Sequence, residues 1–198
     1  HWENRPVHNV LLSLTRSRPR DLLKLFHGAA KKAKLNGNAK ISSFDLEATF
    51  SSYSQARLQD IINEFKTEMP NIEQFLLNMR PTKTQRRASE SYLFATDELS
   101  RKISGILSNV NLSFTNGRPI SSKSLIQFLY KIEFITARRE TPELIERISF
   151  DQNRFLASDF VDFGYKWEIH PAYRWALQPQ DVNDVLDSLK GNIEKYGD

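Results

Sequence analysis

The chain has 198 residues, 39% of them hydrophobic and 26% charged, which is ordinary for a soluble globular protein of one large or two small domains. Cysteine is absent, which excludes a disulfide framework and a thiolate metal site and suits a reducing cytoplasm. No apolar run approaches the roughly 20 residues that cross a bilayer, and the first residues match no signal peptide. We therefore expect a cytoplasmic chain that is a fragment or processed product of a longer protein.

The net charge of +4 is unevenly distributed along the chain. Residues 1–40 hold nine Lys and Arg against two acids, a net of +7, whereas the remaining 158 residues hold 19 against 22, a net of −3. A local basic patch sets the field that an anion meets, so the N-terminal segment is a candidate for phosphate contact. A solvated helix face is the alternative interpretation.

The first part of the chain has the pattern of consecutive helices. Residues 7–15 are expected to end a helix, and Pro19 suits the first turn of the next because its missing N–H would have no partner there. Apolar residues recur at helical spacing over 22–33, and Asn36-Gly37 predicts where that helix stops. Ser42-x-x-Asp45 resembles a capping box and opens another helix.

Two more helices and a linker follow. One helix is predicted from about Ser54 to Met69, ending at Pro70. A shorter one presents a single apolar face that consists of Ile72, Phe75, Leu76 and Met79. Residues 81–91 contain little apolar material and several Ser, Thr and basic residues, so they are the predicted linker.

Beyond the linker the pattern changes to two helices and then short strands. Thr96 is expected to cap the first helix, and Ser121 or Ser122 caps the second, after an Asn116-Gly117 turn. The predicted later elements are strands at Phe134–Ala137, Leu144–Phe150 and Phe163–Ile169, a short helix at Pro171–Leu177 and an amphipathic helix at Val182–Tyr196. Two helices followed by a ribbon are the outline of a winged helix, which we place at about 92–177.

One segment partly matches the pattern of a nucleotide-binding P-loop. It is Gly117-Arg118-Pro119-Ile120-Ser121-Ser122-Lys123-Ser124. Ser122 stands where the motif needs its second glycine, and Pro119 lacks one of the N–H donors that the loop would use. No later apolar strand ends in an aspartate of the Walker B kind. A turn and a cap before a helix explain every residue of the segment.

Other catalytic and metal-binding patterns are also missing from the sequence. The four histidines form no ligand pair, and His170 before Pro171 is the ordinary setting of a buried, hydrogen-bonded imidazole. No serine lies in a G-x-S-x-G turn, so a hydrolase triad has no starting point. The sequence therefore predicts that this chain is not an enzyme, binds no metal and holds no cofactor by itself.

Arg18 and Arg20 flank the predicted start of a helix at Pro19. Two guanidinium groups beside the positive end of a helix dipole favour a nearby anion, and the guanidinium fork fits phosphate oxygens. Pairing with Asp21 and neighbouring acids is the alternative.

These residues resemble a known family. Ser17-Arg18-Pro19-Arg20-Asp21-Leu22-Leu23, an Ala/Lys helix and Ala39-Lys40-Ile41-Ser42-x-x-Asp45-Leu46 look like the lid of AAA+ and STAND-type P-loop ATPases. With the segments Phe128–Ile135 and Trp167–Leu177, the chain is similar over about residues 14–177 to the C-terminal region of a bacterial P-loop ATPase family found among anti-phage defence genes.

The resemblance implies a role for Arg20. It matches the sensor-2 arginine, which in the family touches the terminal phosphate of the ATP and Mg²⁺ held by the preceding core, so that the lid moves on hydrolysis. The family's glycine in this turn is Ser17 here, which makes the turn less permissive and leaves Arg18 as the substitute candidate.

The winged helix has two alternative uses. Duplex DNA binding would use the second helix and the following ribbon, with contacts from Arg118, Lys123, Lys131, Arg138, Arg139 and Arg147. However, Arg118 to Arg174 holds nine Lys and Arg against eight acids, whereas dedicated DNA-binding domains carry a clearly basic face. Docking on a protein, or within the parent protein, is the preferred interpretation, and DNA contact stays open.

The predicted fold class is mainly α, a helical lid bundle followed by a winged-helix-like α+β module with a small antiparallel sheet. The predicted domains are the lid at 1–80, a linker at 81–91, the winged helix at 92–177 and a C-terminal helix at 178–198. The predicted function is a non-catalytic regulatory and interaction region of a P-loop ATPase. Its expected partners are the upstream core and a protein or duplex DNA, with no membrane, and the parent could form an oligomer. A free-standing winged-helix DNA-binding regulator is the alternative.

Overall fold

The computed structural model describes residues 7–15, 18–82, 91–141, 145–156, 164–181 and 184–185. The helices are α1 (Val7–Leu14), α2 (Pro19–Leu35), α3 (Ser43–Phe65), α4 (Ile72–Asn78), α5 (Thr96–Leu107), α6 (Ser122–Lys131) and α7 (Pro171–Leu177). The strands are β1 (Leu93–Phe94), β2 (Ile135–Glu140), β3 (Ile145–Ile148) and β4 (Lys166–Ile169). The predicted fold class, mainly helical with a small antiparallel sheet, is confirmed.

The chain forms two compact units, one of His1–Leu58 with Pro171–Asp198 and the other of Gln59–His170. These bounds differ from the predicted module bounds at 80/81, 91/92 and 177/178, and the lid and winged-helix modules stay a prediction. Of the predicted linker 81–91, residues 83–90 lie outside the described residues. The same holds for residues 182–183 and 186–198 of the predicted C-terminal helix.

The ends of α2 follow from its sequence. Pro19 is its first residue, and Arg18 before it has an extended backbone. At the other end Gly37 has a φ of +74°, and the amide of Asn38 donates to the carbonyl of Ala33 at 2.9 Å. Because glycine adopts this left-handed conformation without a steric penalty, the helix ends in a Schellman turn. The predicted stop at Asn36-Gly37 is therefore confirmed.

Helix α3 begins at the predicted capping box. The Ser42 amide donates to the Asp45 carboxylate at 3.0 Å, and the Asp45 amide donates to the Ser42 hydroxyl at 3.3 Å. The prediction of two helices, one opened at Ser42 and one from Ser54 to Met69, is wrong, because a single helix runs over Ser43–Phe65. No glycine or proline interrupts this segment, and the serines inside it do not end the helix.

The first unit has a core between α1, α2, α3 and α7. Its buried apolar residues are Val10, Leu11, Leu14, Leu25, Ala29, Leu46, Phe50, Tyr53, Ala172 and Val185. The rings of Phe50 and Trp175 lie 5.1 Å apart, and the Ala176 amide donates to the Ser54 hydroxyl at 2.9 Å. The C-terminal end of α7 is therefore held on α3 by both packing and a hydrogen bond.

The second unit is built on an antiparallel sheet in the order β1-β4-β2-β3. Trp167 on β4 pairs with Phe94 on one side and with Ala137 on the other. Because paired residues share a face, these three side chains lie on one side of the sheet, where they are buried. Helices α5 and α6 contact β1, β2 and β4 and cover an apolar layer.

The two helices of the second unit have well-formed ends. Ser121 caps α6, since its hydroxyl accepts from the Ser124 amide at 3.0 Å and its amide donates to the Ser124 hydroxyl at 2.8 Å. The prediction that Thr96 caps α5 is wrong: Ala95 is the N-cap residue, and its amide donates to Glu98. The Thr96 hydroxyl instead accepts from Trp167 Nε1 at 3.1 Å, which ties α5 to β4.

Candidate functional site

Arg18 and Arg20 lie at the start of α2, and both side chains are exposed. Asp21, the next residue, is 1% exposed and points into the first unit. Its carboxylate forms an ion pair with the guanidinium of Arg57 on α3, at 2.6 Å between Nη1 and Oδ1, and Arg57 is also buried. This pair anchors the first turn of α2 on α3, so Arg20 is held at the surface of the unit. Ser17, which replaces the family's glycine in this turn, lies outside the described residues.

A polar turn joins the end of α2 to the start of α3. The Asp45 carboxylate accepts from the Ser42 hydroxyl at 2.7 Å and from the side-chain amide of Asn36 at 3.1 Å. The hydrogen bonds from Ser42, first from its side chain and then from its backbone, lower the pKa of Asp45 below its ordinary value of 3.8. The I-S-x-x-D segment therefore holds the two helices in a fixed turn.

The helices also approach each other closely at Gly28. A Cβ on Gly28 would lie 2.5 Å from the Cγ2 atom of Thr49, which is shorter than real carbon–carbon contacts allow. The Thr49 hydroxyl donates to the Asp45 carbonyl at 2.8 Å, so this side chain is itself held in place. Glycine at position 28 is therefore required by the packing of α2 on α3.

Three candidate DNA contacts lie on or near α6. Arg118 donates a hydrogen bond to Gln127 and stacks 5.5 Å from the Phe114 ring centre. Lys131 forms an ion pair with Glu68 at 2.9 Å. Lys123 is exposed in the first turn of α6. The remainder of α6 is largely internal, with Ser124, Leu125, Ile126, Phe128, Leu129 and Tyr130 buried.

The other three candidates lie on β2 and β3, next to acids. Arg147 Nε lies 2.6 Å from the Glu168 carboxylate and Arg138 Nη1 lies 3.4 Å from it. Glu168 is 1% exposed and Arg138 is 5% exposed, so this cluster is internal. Arg138 also pairs with Glu140, and Arg139 pairs with Glu146 at 3.7 Å near the surface. The structure therefore brings Arg138 and Arg147 together around a shared acid.

Sequence reasoning missed the pair of Asp21 with Arg57, and it missed Glu168. Asp21 and Arg57 are 36 residues apart, and nothing local to either residue indicates the pair. The strand pattern places Glu168 on the opposite face from Trp167 and Ile169, which is ordinarily the solvent face. The sequence therefore contains no signal that this carboxylate is buried.

Tyr130 on α6 secures the segment that follows β3. Its hydroxyl, which has one hydrogen to donate, lies 2.8 Å from the carbonyl oxygen of Ser149 and 2.9 Å from that of Asn153. Burial raises the pKa of this phenol, so it stays protonated and keeps its donor. The ring also packs edge-on against Phe150 and Trp167. This geometry is structural and leaves the phenol no titration near neutral pH.

The near miss to a P-loop at Gly117–Ser124 has the geometry of a turn followed by a cap. Gly117 has a φ of +74°, and the Ser124 hydroxyl donates to the Pro119 carbonyl at 2.9 Å. The amides of Ser121 and Ser124 are used in the capping box of α6. A phosphate would have to compete with these internal hydrogen bonds.

Two kinds of feature are absent from the described residues. No group of three or more His, Cys, Asp or Glu side chains in this part of the chain could hold a metal ion. Among the described helices, none combines the length and the hydropathy that crossing a bilayer requires.

Comparison with known proteins relates the chain to part of a larger protein. It is 25% identical over 201 residues to an Escherichia coli (strain K12) protein named putative transposon gamma-delta 80.3 kDa protein. The match covers 92% of this chain but 26% of that relative, so the chain spans about a quarter of it. No solved structure matches the chain. A family model matches residues 1–62, and this N-terminal part is similar to the FunZ-associated C-terminal helical domain.

Proposed function

We propose that this chain is a non-catalytic C-terminal regulatory and interaction region of a larger P-loop ATPase, and that Arg20 senses the nucleotide held by the upstream core. One finding supports the C-terminal placement, and a second supports a larger parent protein. Residues 1–62 are similar to a C-terminal helical domain, and the chain spans only 26% of its E. coli relative. ATP and Mg²⁺ would belong to the parent protein and not to this chain.

The observation that carries the proposal is the exposed guanidinium of Arg20 beside the buried Asp21. The Asp21–Arg57 pair joins the first turn of α2 to α3, so a pull on Arg20 would be transmitted to both helices. Arg20 lies at the N-terminal end of α2, where the helix dipole also favours a phosphate. Loss of the terminal phosphate would release this contact and let the helices move as one body.

The test uses the chain together with its upstream sequence, in which this proposal expects a G-x-x-x-x-G-K-S/T motif. We expect Arg20→Ala to lower the rate of ATP hydrolysis on the order of 100-fold, because it removes a charge that stabilises the transferring phosphate. Lys24→Ala, one turn along the exposed side of α2, is the matched control and should leave the rate unchanged. Equal rates for Arg20→Ala and the unmodified protein would overturn the sensor assignment, and a comparable loss in Arg18→Ala alone would transfer it to Arg18.

The chain without its upstream core is proposed to bind no ATP, since one or two arginines without a P-loop make too few contacts. Calorimetry with ATP and Mg²⁺ should detect no binding at micromolar concentrations. A dissociation constant in the micromolar range would contradict the proposal and would point to a nucleotide site within these 198 residues.

For the second half, we propose a winged helix that docks on protein. The succession α5, α6 and β2, with β4 returning between β1 and β2, supports a winged-helix arrangement. The largely buried α6 and the acid partners of Lys131, Arg138, Arg139 and Arg147 favour a protein contact over DNA. The cytoplasm stays the predicted compartment, and the AAA+/STAND resemblance and the anti-phage association stay predictions.

The alternative is a free-standing DNA-binding regulator. Its proposed DNA contacts are the six cations Arg118, Lys123, Lys131, Arg138, Arg139 and Arg147. It predicts duplex binding that depends on the α6 and β2–β3 region. Fluorescence anisotropy with Arg118→Gln/Lys123→Gln/Arg139→Gln tests it, because these three cations do not belong to the Glu168 cluster. A tenfold or greater loss of duplex affinity in this variant would favour the regulator, on the scale expected for three phosphate contacts. Unchanged binding would remove its support.

A further inference from the structure

A line of basic side chains runs along the outer side of α2. Lys24, His27, Lys31 and Lys34 are all exposed, and they are separated by three, four and three residues. Residues at this spacing lie on one face of a helix, so the four form a continuous row about 15 Å long. We call this row the basic stripe.

The segment that carries the stripe contains no acid. Residues 22–44 contain five lysines and neither aspartate nor glutamate. The opposite side of α2 carries Leu25, Ala29 and Ala33, which are buried, so the helix cannot turn its lysines inward. The first acid after the segment, Asp45, is buried and hydrogen-bonded to Ser42. The side chains of the stripe are therefore exposed on the side of α2 that lies away from these buried residues.

We propose that the basic stripe binds the phosphate backbone of duplex DNA, without reading its sequence. A row of lysine ammonium groups supplies point charges that neutralise phosphates and release counterions. Such contacts position a protein on a duplex and carry no base recognition. Because the stripe lies outside the α6 and β2–β3 region, the inference is independent of the winged helix and of nucleotide sensing by Arg20.

The composition of the stripe favours a duplex over three other polyanionic partners. Single-strand binders present aromatic side chains on which bases stack, and the stripe holds no Phe, Tyr or Trp. Protein interface cores are depleted of lysine and enriched in aromatic residues. A helix that lies on a membrane needs an apolar stripe, whereas the exposed Leu23 and Leu35 are separated by about 18 Å along α2.

The experiment measures the affinity of the 198-residue chain for a fluorescent 30-base-pair duplex by anisotropy at several salt concentrations. We expect binding whose logarithm falls with the logarithm of salt with a slope of about −3 to −4. Lys24→Gln/Lys31→Gln/Lys34→Gln should make that slope shallower by about 3 and weaken binding at 0.1 M salt on the order of tenfold or more. The sequence of the duplex should not change either result.

The matched control is Lys66→Gln/Arg80→Gln/Arg101→Gln, which removes three exposed charges of the second unit that belong to neither candidate DNA surface and should leave the slope unchanged. Circular dichroism checks that both variants keep the helix content of the unmodified chain. Absence of binding at low salt, or an equal change of slope in the control, would overturn the proposal. It would also be overturned by tighter binding to single-stranded DNA, to polyglutamate or to phosphatidylserine vesicles than to the duplex.

Discussion

The two compact units differ in what surrounds their positive charges. On α2 of the first unit, exposed lysines occur in a segment that has no acid from residue 22 to residue 44. In the second unit, Lys131, Arg139 and Arg147 each form an ion pair with a glutamate. The number of cations in a region is therefore a poor guide to anion binding, because the acids beside them decide how much field remains.

The two units also differ in how their buried charges are paired. The first unit contains a one-to-one pair, Asp21 with Arg57, between two helices. The second unit places one acid, Glu168, between Arg138 and Arg147 across three strands. Because Glu168 joins three strands, its removal should disturb the sheet. We expect that disturbance to be larger than the one caused by loss of a surface ion pair on the same sheet.

The largest effect is expected for Glu168→Ala. The substitution leaves the buried charges of Arg138 and Arg147 without their shared counterion, and we expect the free energy of unfolding to fall by about 3–5 kcal/mol. Urea unfolding followed by circular dichroism measures it. Glu146→Ala on the same sheet is the control and should cost less than about 1 kcal/mol, because its pair with Arg139 is exposed to solvent. Similar losses in the two variants would remove the distinction between internal and surface pairs.

Gly28→Ala in the first unit should have the next largest effect. The added Cβ would lie 2.5 Å from Thr49 Cγ2 and would force α2 and α3 apart. We expect a loss of about 1–2 kcal/mol, since overpacking outweighs the better helix propensity of alanine. Gly105→Ala in α5 is the control, because its Cβ would meet nothing within 4 Å, and it should stabilise the second unit by up to about 1 kcal/mol.

A second variant tests the cause that we assign to Gly28→Ala. Adding Thr49→Ser removes the Cγ2 methyl group and should recover most of the lost stability. Thermal unfolding of the single and double variants measures the recovery. If Gly28→Ala alone were as stable as the unmodified chain, the close approach of α2 and α3 would be refuted.

Glu133→Gly in the second unit should raise stability by about 1 kcal/mol. Glu133 follows α6 with a φ of 56°, and the Phe134 amide donates to the Leu129 carbonyl at 3.0 Å, as in the Schellman turn that ends α2 at Gly37. A residue with a Cβ is strained in this conformation and glycine is not. Glu133→Ala keeps the Cβ and should bring no gain, so equal urea midpoints for the two variants would contradict the backbone explanation.

The smallest effect is expected from Asp45→Asn in the first unit, and it depends on pH. The hydrogen bonds of Ser42 lower the pKa of Asp45 in the folded chain, so its carboxylate stabilises the fold fully above the ordinary value of 3.8. This contribution is lost as the pH falls through the lowered pKa. The unmodified chain should therefore be the more stable one at neutral pH, and the difference should shrink below pH 3.8. A difference that stays constant down to pH 2 would contradict this assignment.

Local signals accounted for most of the helix positions. Pro19 and Asn36-Gly37 marked both ends of α2, Ser42-x-x-Asp45 marked the start of α3, and Ser121 marked the start of α6. Each signal depends on hydrogen bonds or φ values within a few residues. It can therefore be recognised from the sequence alone. The continuity of α3 was missed because serines were taken as a break, whereas only glycine or proline reliably weakens a helix.

The sequence by itself determined the helical class of the protein, the start and stop of α2, the N-cap of α6, and the charge asymmetry that points to residues 1–40. Only the tertiary structure decided which charges remain exposed. It paired Asp21 with Arg57, gathered Arg138 and Arg147 on Glu168, and left the basic stripe of α2 facing solvent. The physical reason is that the field at a surface depends on distances between residues remote in sequence, and folding alone sets those distances.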